Sequence, residues 1–204
     1  MTLISDINLI YRREGLRKAK KDAFAWYRAA RDSDESQAVM KMPQQKGYLE
    51  PGKIHIFTYN PKGKKVLDYY DKKPVVISLG RIKEDNGNYY DLAINLNFIP
   101  DPYKWYILNT VREVYKDFYF GQMTGRNSGN ALLQARIKYK YGVLKQLLKK
   151  YGFLFAIRKY IPSRKSRVYV TSYESWINVA FLSIENFEGI NYDDMIKKYK
   201  ASKL

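Results

Sequence analysis

KIHIFTYNPKGKKVLDYYDKKPVVISLGRIKEDNGNYYDLAINLN, residues 53–97, decides the fold. Lys53–Tyr59 alternates strictly. His55, Phe57 and Tyr59 lie on one face of an extended chain, and Ile54, Ile56 and Thr58 on the other. Asn60-Pro61-Lys62-Gly63 is a turn. Val75–Ile82 predicts a second strand, Asp85-Asn86-Gly87-Asn88 a hairpin turn, and Tyr89–Leu96 the returning third strand. Three strands joined by short connections imply an antiparallel meander or a small barrel.

Helical periodicity flanks this segment on both sides, so the fold class is α+β: a small antiparallel sheet or barrel over about 53–97 with basic helices around it. Residues 6–31 predict a helix with Leu9, Leu16, Ala19, Ala23, Trp26 and Ala30 as its apolar stripe, and Gly15 weakens it locally. Residues 32–47 are polar and aperiodic. Residues 1–50 therefore read as an extended basic helical arm and linker, 51–190 as the core domain, and 191–204 as a basic tail.

Pro102 suits the first turn of a helix over 103–120. Gly121–Gly129 (GQMTGRNSG) reads as a loop. Asn130 can cap a helix to about Tyr151, whose buried stripe is Leu133, Ile137, Tyr141, Leu144 and Leu148. Residues 153–160 fit strand or helix. Arg167–Thr171 predicts a short strand, Ser172 caps a helix through Ile184, and Asn191 caps a last one.

Composition narrows the function. A chain of 204 residues suits one domain with an extension, and 46% hydrophobic content is enough for a core. No run of 18 apolar residues is present, so no membrane span is expected, and no membrane is assigned as partner. The first residues lack the features of a secretory signal. The absence of cysteine removes disulfides, thiolate metal sites and thiol nucleophiles.

The formal net charge is +17. Between Asp117 and Glu174 lie fifty-six residues with no acid and twelve Lys or Arg. Ordinary surfaces mix signs, so this bias points to a polyanion: nucleic acid first, or an acidic membrane surface or an acidic protein neighbour. The candidate contacts are Arg12, Arg13, Arg17, Lys18, Lys20 and Lys21 on the first helix, with Arg126, Arg136, Lys138, Lys145, Lys149, Arg164 and Lys165 in or beside the acid-free stretch. The aromatics of that stretch fall mostly at core spacings. No helix-turn-helix, zinc-finger or RNA-recognition signature accompanies the charge, so duplex DNA would be bound without sequence specificity.

Catalytic readings find little support. His55 is the single histidine, and no second His or Cys can complete a metal site or a nucleophile–base pair with it. Asp101, Glu113 and Lys116 supply the residue types of a metal-dependent nuclease at the wrong spacing; Asp101 is better placed as a negative charge at a helix start. GQMTGRNSG could cradle a phosphate but lacks the GK[ST] element of a P-loop. Asp71 and Asp91 follow tyrosines at strand edges and suit local pairing with lysine. No catalytic residue, cofactor or metal is assigned, and the expectation is a non-enzyme.

The segments Pro51-Gly52, Phe57-Thr58-Tyr59-Asn60-Pro61-Lys62, Tyr69-Tyr70-Asp71, Pro74-Val75-Val76 and Leu96-Asn97-Phe98-Ile99-Pro100 resemble a family of virion or DNA-end proteins from large tailed bacteriophages. Arg158-Lys159-Tyr160, Trp176 and Phe181–Phe187 extend the resemblance to about residues 51–188. Asp68 stands where that pattern has proline, and Asn97-Phe98 where it has a histidine–aromatic pair, which argues against a shared catalytic histidine. The resemblance implies a structural virion protein at the head–tail connector or tail. Copies would form a ring through the β module, beside neighbouring virion proteins and with a basic face toward DNA. The alternative is a protein that binds or protects DNA ends around packaging. Either implies location in the virion, and in the host cytoplasm before assembly.

Overall fold

The computed structural model describes residues 2–32, 44–45, 48–123, 141–182 and 187–201. They fall into two units. One is built from Met1–Lys41, Ile99–Leu154 and Ser172–Leu182; the other from Met42–Phe98, Phe155–Thr171 and Ser183–Leu204. This division interleaves along the chain, unlike the expected order of arm, core and tail.

The second unit is the sheet. Its strands are β1 (Gln44–Gln45), β2 (Ile54–Tyr59), β3 (Tyr70–Asp71), β4 (Val75–Lys83), β5 (Tyr89–Asn95), β6 (Ile157–Tyr160), β7 (Lys165–Val170) and β8 (Phe187–Glu188). Six of them form one antiparallel sheet in the order β1-β7-β2-β4-β5-β6, and β3 pairs with β8 alone. The expected meander is therefore its centre, β2-β4-β5. The barrel is not formed: β1 and β6 are the two ends of the sheet order and do not pair with each other. The ambiguous segment 153–160 resolves into a short 3₁₀ turn followed by β6.

The hairpin turn forms as its residues dictate. Gly87 takes φ +80°, the Gly87 N–H donates to the Glu84 carbonyl at 2.8 Å, and the Asn86 side chain accepts from the Asn88 N–H at 2.9 Å. Alternation in β2 does not give one wet face, because Ile54–Phe57 is buried on both sides. The register aligns Ile54, Ile77, Ile94 and Ile157 across four strands. The opposite face holds Leu49, Phe57, Val76, Ala93, Tyr160 and Val168 as one cluster. Burial of a ring such as Phe57 stabilises by about 2–3 kcal/mol. Its edge-to-face contact with Tyr160, with centroids 5.1 Å apart, adds orientation.

The first unit is helical: α1 (Leu3–Asp32), α2 (Asp101–Met123), α3 (residues 141–150) and α4 (Trp176–Phe181). In place of an extended arm, α1 packs against α2 and α4. Gly15 does more than weaken it. With φ 76° and ψ 156°, it separates two helical segments. The break shifts the phase of the apolar stripe. Leu3 and Ile7 are buried before it, Ala19, Ala23 and Tyr27 after it, and Leu9 is 51% exposed, contrary to the expected stripe. Within this unit Trp105 Nε1 donates to the Ala180 carbonyl at 2.7 Å, and Arg112 donates to Asp6 at 3.2 Å.

α2 runs to Met123, past the expected end at 120. The remainder of the GQMTGRNSG loop and the helix start at Asn130 lie outside the described residues. In α3, Leu144 and Leu148 are buried as expected. α4 is shorter than the 172–184 helix expected, with Ser175 at its N-cap. α5 (Tyr192–Ala201), in the sheet unit, is capped by Asn191, whose side-chain oxygen accepts from the Asp194 N–H at 2.9 Å.

Candidate nucleic-acid interface

α1 presents its charge because its second half is amphipathic. Ala19, Ala23 and Tyr27 turn inward. Arg17, Lys21 and Arg28, at spacings of four and seven, form the opposite and exposed stripe, and Arg12, Arg13 and Lys18 are also exposed. Lys18 lies 3.6 Å from Glu14 at the surface, where such a pair holds little energy. Lys20 is different: it is half-buried and bound to Asp101 at 2.7 Å. Burial raises the Asp101 pKa, but Lys104 and Lys20 outweigh it and hold the carboxyl below its ordinary range. Asp101 is thus an ion-pair partner at the start of α2, and Lys20 is not a free contact.

On α3, Lys145 and Lys149 are exposed one turn apart. Arg164 is exposed at the end of a 3₁₀ turn in the sheet unit. Arg126, Arg136 and Lys138, and the side chains of Glu113 and Lys116, lie outside the described residues.

Lys165 departs from expectation. Its side chain is buried and its ammonium donates to Asp91 Oδ2, while Arg81 Nε donates to Asp91 Oδ1 at 2.9 Å. Burial lowers the Lys165 pKa, and the bond to Asp91 opposes that shift. The register places the group here: Tyr59 faces Lys165, and a bulge at Gly80 brings Arg81 opposite Asp91. Lys165 is a structural cation inside the sheet unit.

The sheet unit also carries a cavity of about 270 Å³, lined by Tyr59, Pro61, Lys62, Leu67, Tyr69, Tyr70, Asp71, Tyr90, Asn95, Phe98, Arg158, Lys159, Tyr160 and Ile161. Its polar floor is an ordered network. Asp71 Oδ2 accepts from Asn95 Nδ2 at 2.9 Å and from Asn97 Nδ2 at 2.8 Å, and Asp71 Oδ1 accepts from the Lys73 N–H at 2.9 Å. Asn95 Nδ2 also donates to the Tyr160 hydroxyl at 3.1 Å. Burial pushes the Asp71 carboxyl up to about 6 despite these three bonds. Burial likewise raises the Tyr160 phenol well above its ordinary value, so it is un-ionised.

β3 owes its position partly to Gly189. At φ +87°, this glycine leaves no room for a side chain, because a Cβ would sit 2.4 Å from the Asp68 carbonyl oxygen. Over the cavity the Arg158 guanidinium lies 4.6 Å from the Phe98 ring centroid and 5.8 Å from that of Tyr69. Lys159 is paired with Glu84.

His55 is buried, and its Nε2 accepts from the Glu50 N–H at 3.2 Å. Burial lowers its pKa to about 4, so the ring is neutral at neutral pH and ties the Glu50 backbone to β2. Among the described residues no group of three or more His, Asp or Glu could hold a metal ion, and no helix is long and apolar enough to cross a membrane.

Charge counting did not find this cavity. Its walls come from segments up to 102 residues apart, and only pairing of the strands brings them together. The available signal was the set of motifs quoted for the resemblance, four of which line it: Phe57–Lys62, Tyr69–Asp71, Leu96–Pro100 and Arg158–Tyr160.

The phage T4 terminal DNA protecting protein family matches the chain over residues 10–204. The match spans nearly the whole chain, and the chain belongs to that family. It agrees with the resemblance at the level of a phage family. No curated protein and no solved structure matches the chain.

Proposed function

We propose that this chain binds the ends of double-stranded phage DNA without reading their sequence and shields them, as a non-enzymatic protein. The observation that carries the reading is the family match over residues 10–204, since that family is described by protection of terminal DNA. The chemistry agrees with it. The +17 charge includes an exposed cationic stripe, Arg17, Lys21 and Arg28, on a helix whose other face is buried. Point charges spaced along a helix neutralise phosphates and release counterions, which gives affinity without base readout.

Of the two readings the sequence supports, DNA-end protection is therefore preferred over a ring component of the connector or tail. Copies of the chain and neighbouring virion proteins are secondary partners in this reading. The protein would act on the genome in the virion, and would reside in the host cytoplasm before assembly.

The salt dependence of binding tests the role of the stripe. On linear duplex DNA, log affinity is expected to fall linearly with log salt, with a slope of about −0.9 per phosphate contacted. Replacing Arg17, Lys21 and Arg28 together by serine should weaken binding to all sequences alike and flatten the slope by about 1 per lost contact. These residues are exposed, so the variant should fold as the parent does. An unchanged slope in the triple variant would remove the stripe from the interface.

A further inference from the structure

We propose that the cavity on the sheet unit receives one unpaired nucleotide at a DNA strand terminus, with its base against the Tyr70 and Tyr90 rings and its phosphate on Arg158. The proposal rests on the DNA-end reading above and adds what recognises the end itself.

Size is the first argument. A cavity of about 270 Å³ lies just below the range of pockets that take drug-sized ligands, roughly 300–1,000 Å³. It has room for a nucleotide unit and none for a base pair. A strand terminus can fray to offer one base; the interior of a duplex offers a base only at the cost of unstacking on both sides.

The lining is the second argument. Phe98, Tyr59 and Tyr160 are committed to edge-to-face or tilted ring contacts within the core. Tyr70 and Tyr90 also line the cavity, are only partly buried, and have no ring partner among the described residues. Tyrosine rings without a ring partner at a concave site can serve as stacking surfaces for a base of any identity.

Charge is the third. Arg158 is partly buried over Phe98 and Tyr69 and donates to the Tyr69 hydroxyl at 3.5 Å, and no carboxylate among the described residues forms a salt bridge with it. A partly desolvated guanidinium stacked on rings suits a phosphate, which it can meet with paired N–H donors. The one carboxylate in the lining, Asp71, already accepts three N–H donors.

The rim extends the fit. Lys62 and Leu67 line the cavity, and between them Lys64, Lys65 and Val66 are exposed, Val66 by 85%. An apolar tip among lysines can rest on the open face of a terminal base pair while the lysines meet the adjoining phosphates. That open face exists only at an end.

The test compares two duplexes of one sequence: one open-ended, and one closed by hairpin loops at both ends. Wild-type protein is expected to prefer the open duplex. Tyr70→Leu with Tyr90→Leu, and separately Arg158→Gln, should reduce that preference by about tenfold, within the range of one lost stacking or phosphate contact. Binding to the closed duplex should not change. Variants that keep the full preference overturn the cavity assignment and leave DNA-end binding standing. A wild type with no preference overturns DNA-end binding itself.

A wild-type measurement covers the case of a variant that fails to fold. Photo-crosslinking from 5-iodouracil at the strand terminus should label the peptides carrying Tyr70 or Tyr90. Labels confined to the helical unit overturn the proposal. So does displacement of the terminus by micromolar deoxynucleoside monophosphate, which would mark the cavity as a site for free nucleotides.

Discussion

Asp91→Ala is expected to destabilise the sheet unit by about 3–5 kcal/mol, because it strands a buried ammonium. Asp91 is fully buried on β5 and takes both Lys165 and Arg81. Arg81 is a third exposed and can turn to water when its partner is removed. Lys165 cannot, because its side chain is wholly enclosed. It must deprotonate, move the strand, or stay charged without its carboxylate. Adding Lys165→Met to Asp91→Ala should recover most of the loss, since the double variant buries neither charge.

Where this is measured matters. All three tryptophans, Trp26, Trp105 and Trp176, belong to the helical unit, so their fluorescence reports that unit. Amide exchange of β4 and β5 reports the sheet. The expected outcome is lost protection in those strands. A cost below about 1 kcal/mol would place the pair with surface salt bridges and contradict its burial.

A second large effect concerns acid. His55 and Asp71 are both buried in the sheet unit, and they push stability in opposite directions over overlapping pH windows. His55 has a pKa of about 4 in the folded chain and an ordinary value of 6.5. As pH falls from 6.5 to 4, the unfolded chain binds a proton that the folded chain refuses, so stability is lost. Asp71 has a pKa of about 6 when folded and an ordinary value of 3.8. As pH falls from 6 to 3.8, the folded chain holds the extra proton, so stability is gained. Each shift corresponds to about 3 kcal/mol across its window, and the two nearly offset.

Single substitutions should expose each effect. Relative to wild type, His55→Gln should gain stability on acidification from pH 6.5 to 4, and Asp71→Asn should lose it. Denaturant unfolding at pH 4, 5, 6 and 7, followed by far-ultraviolet circular dichroism, gives both curves. If the two variants shift in the same direction, or neither shifts, the opposing titrations are not the cause. Asp71→Asn also replaces an acceptor of three N–H donors with a group that can satisfy fewer of them, so a pH-independent loss is expected beneath the trend.

The strands of the sheet were legible because their signals are local. Alternation in 53–59 and the Asp-Asn-Gly-Asn turn specify neighbours a few residues away. β6 and β7 were harder to read, since they join the sheet across more than sixty intervening residues. The apolar stripe of α1 changes phase at Gly15, because a helical period carries no information across a non-helical residue. The charge bias includes Arg17 and Lys21, which are exposed. It could not separate them from Lys20 and Lys165, whose carboxylate partners lie about eighty and seventy-four residues away in sequence. The cavity was invisible for the same reason: Tyr70, Tyr90 and Arg158 become neighbours only once β3, β5 and β6 are in place.

The most direct test of the DNA-end reading is protection of linear duplex DNA from two nucleases, one that degrades from ends and one that cuts internally. At saturating protein and moderate salt, the account predicts that end-dependent degradation stops or slows strongly while internal cutting proceeds nearly unhindered. Equal protection against both nucleases would mark a general coating of DNA, and protection against neither would remove DNA from the account; either result contradicts it.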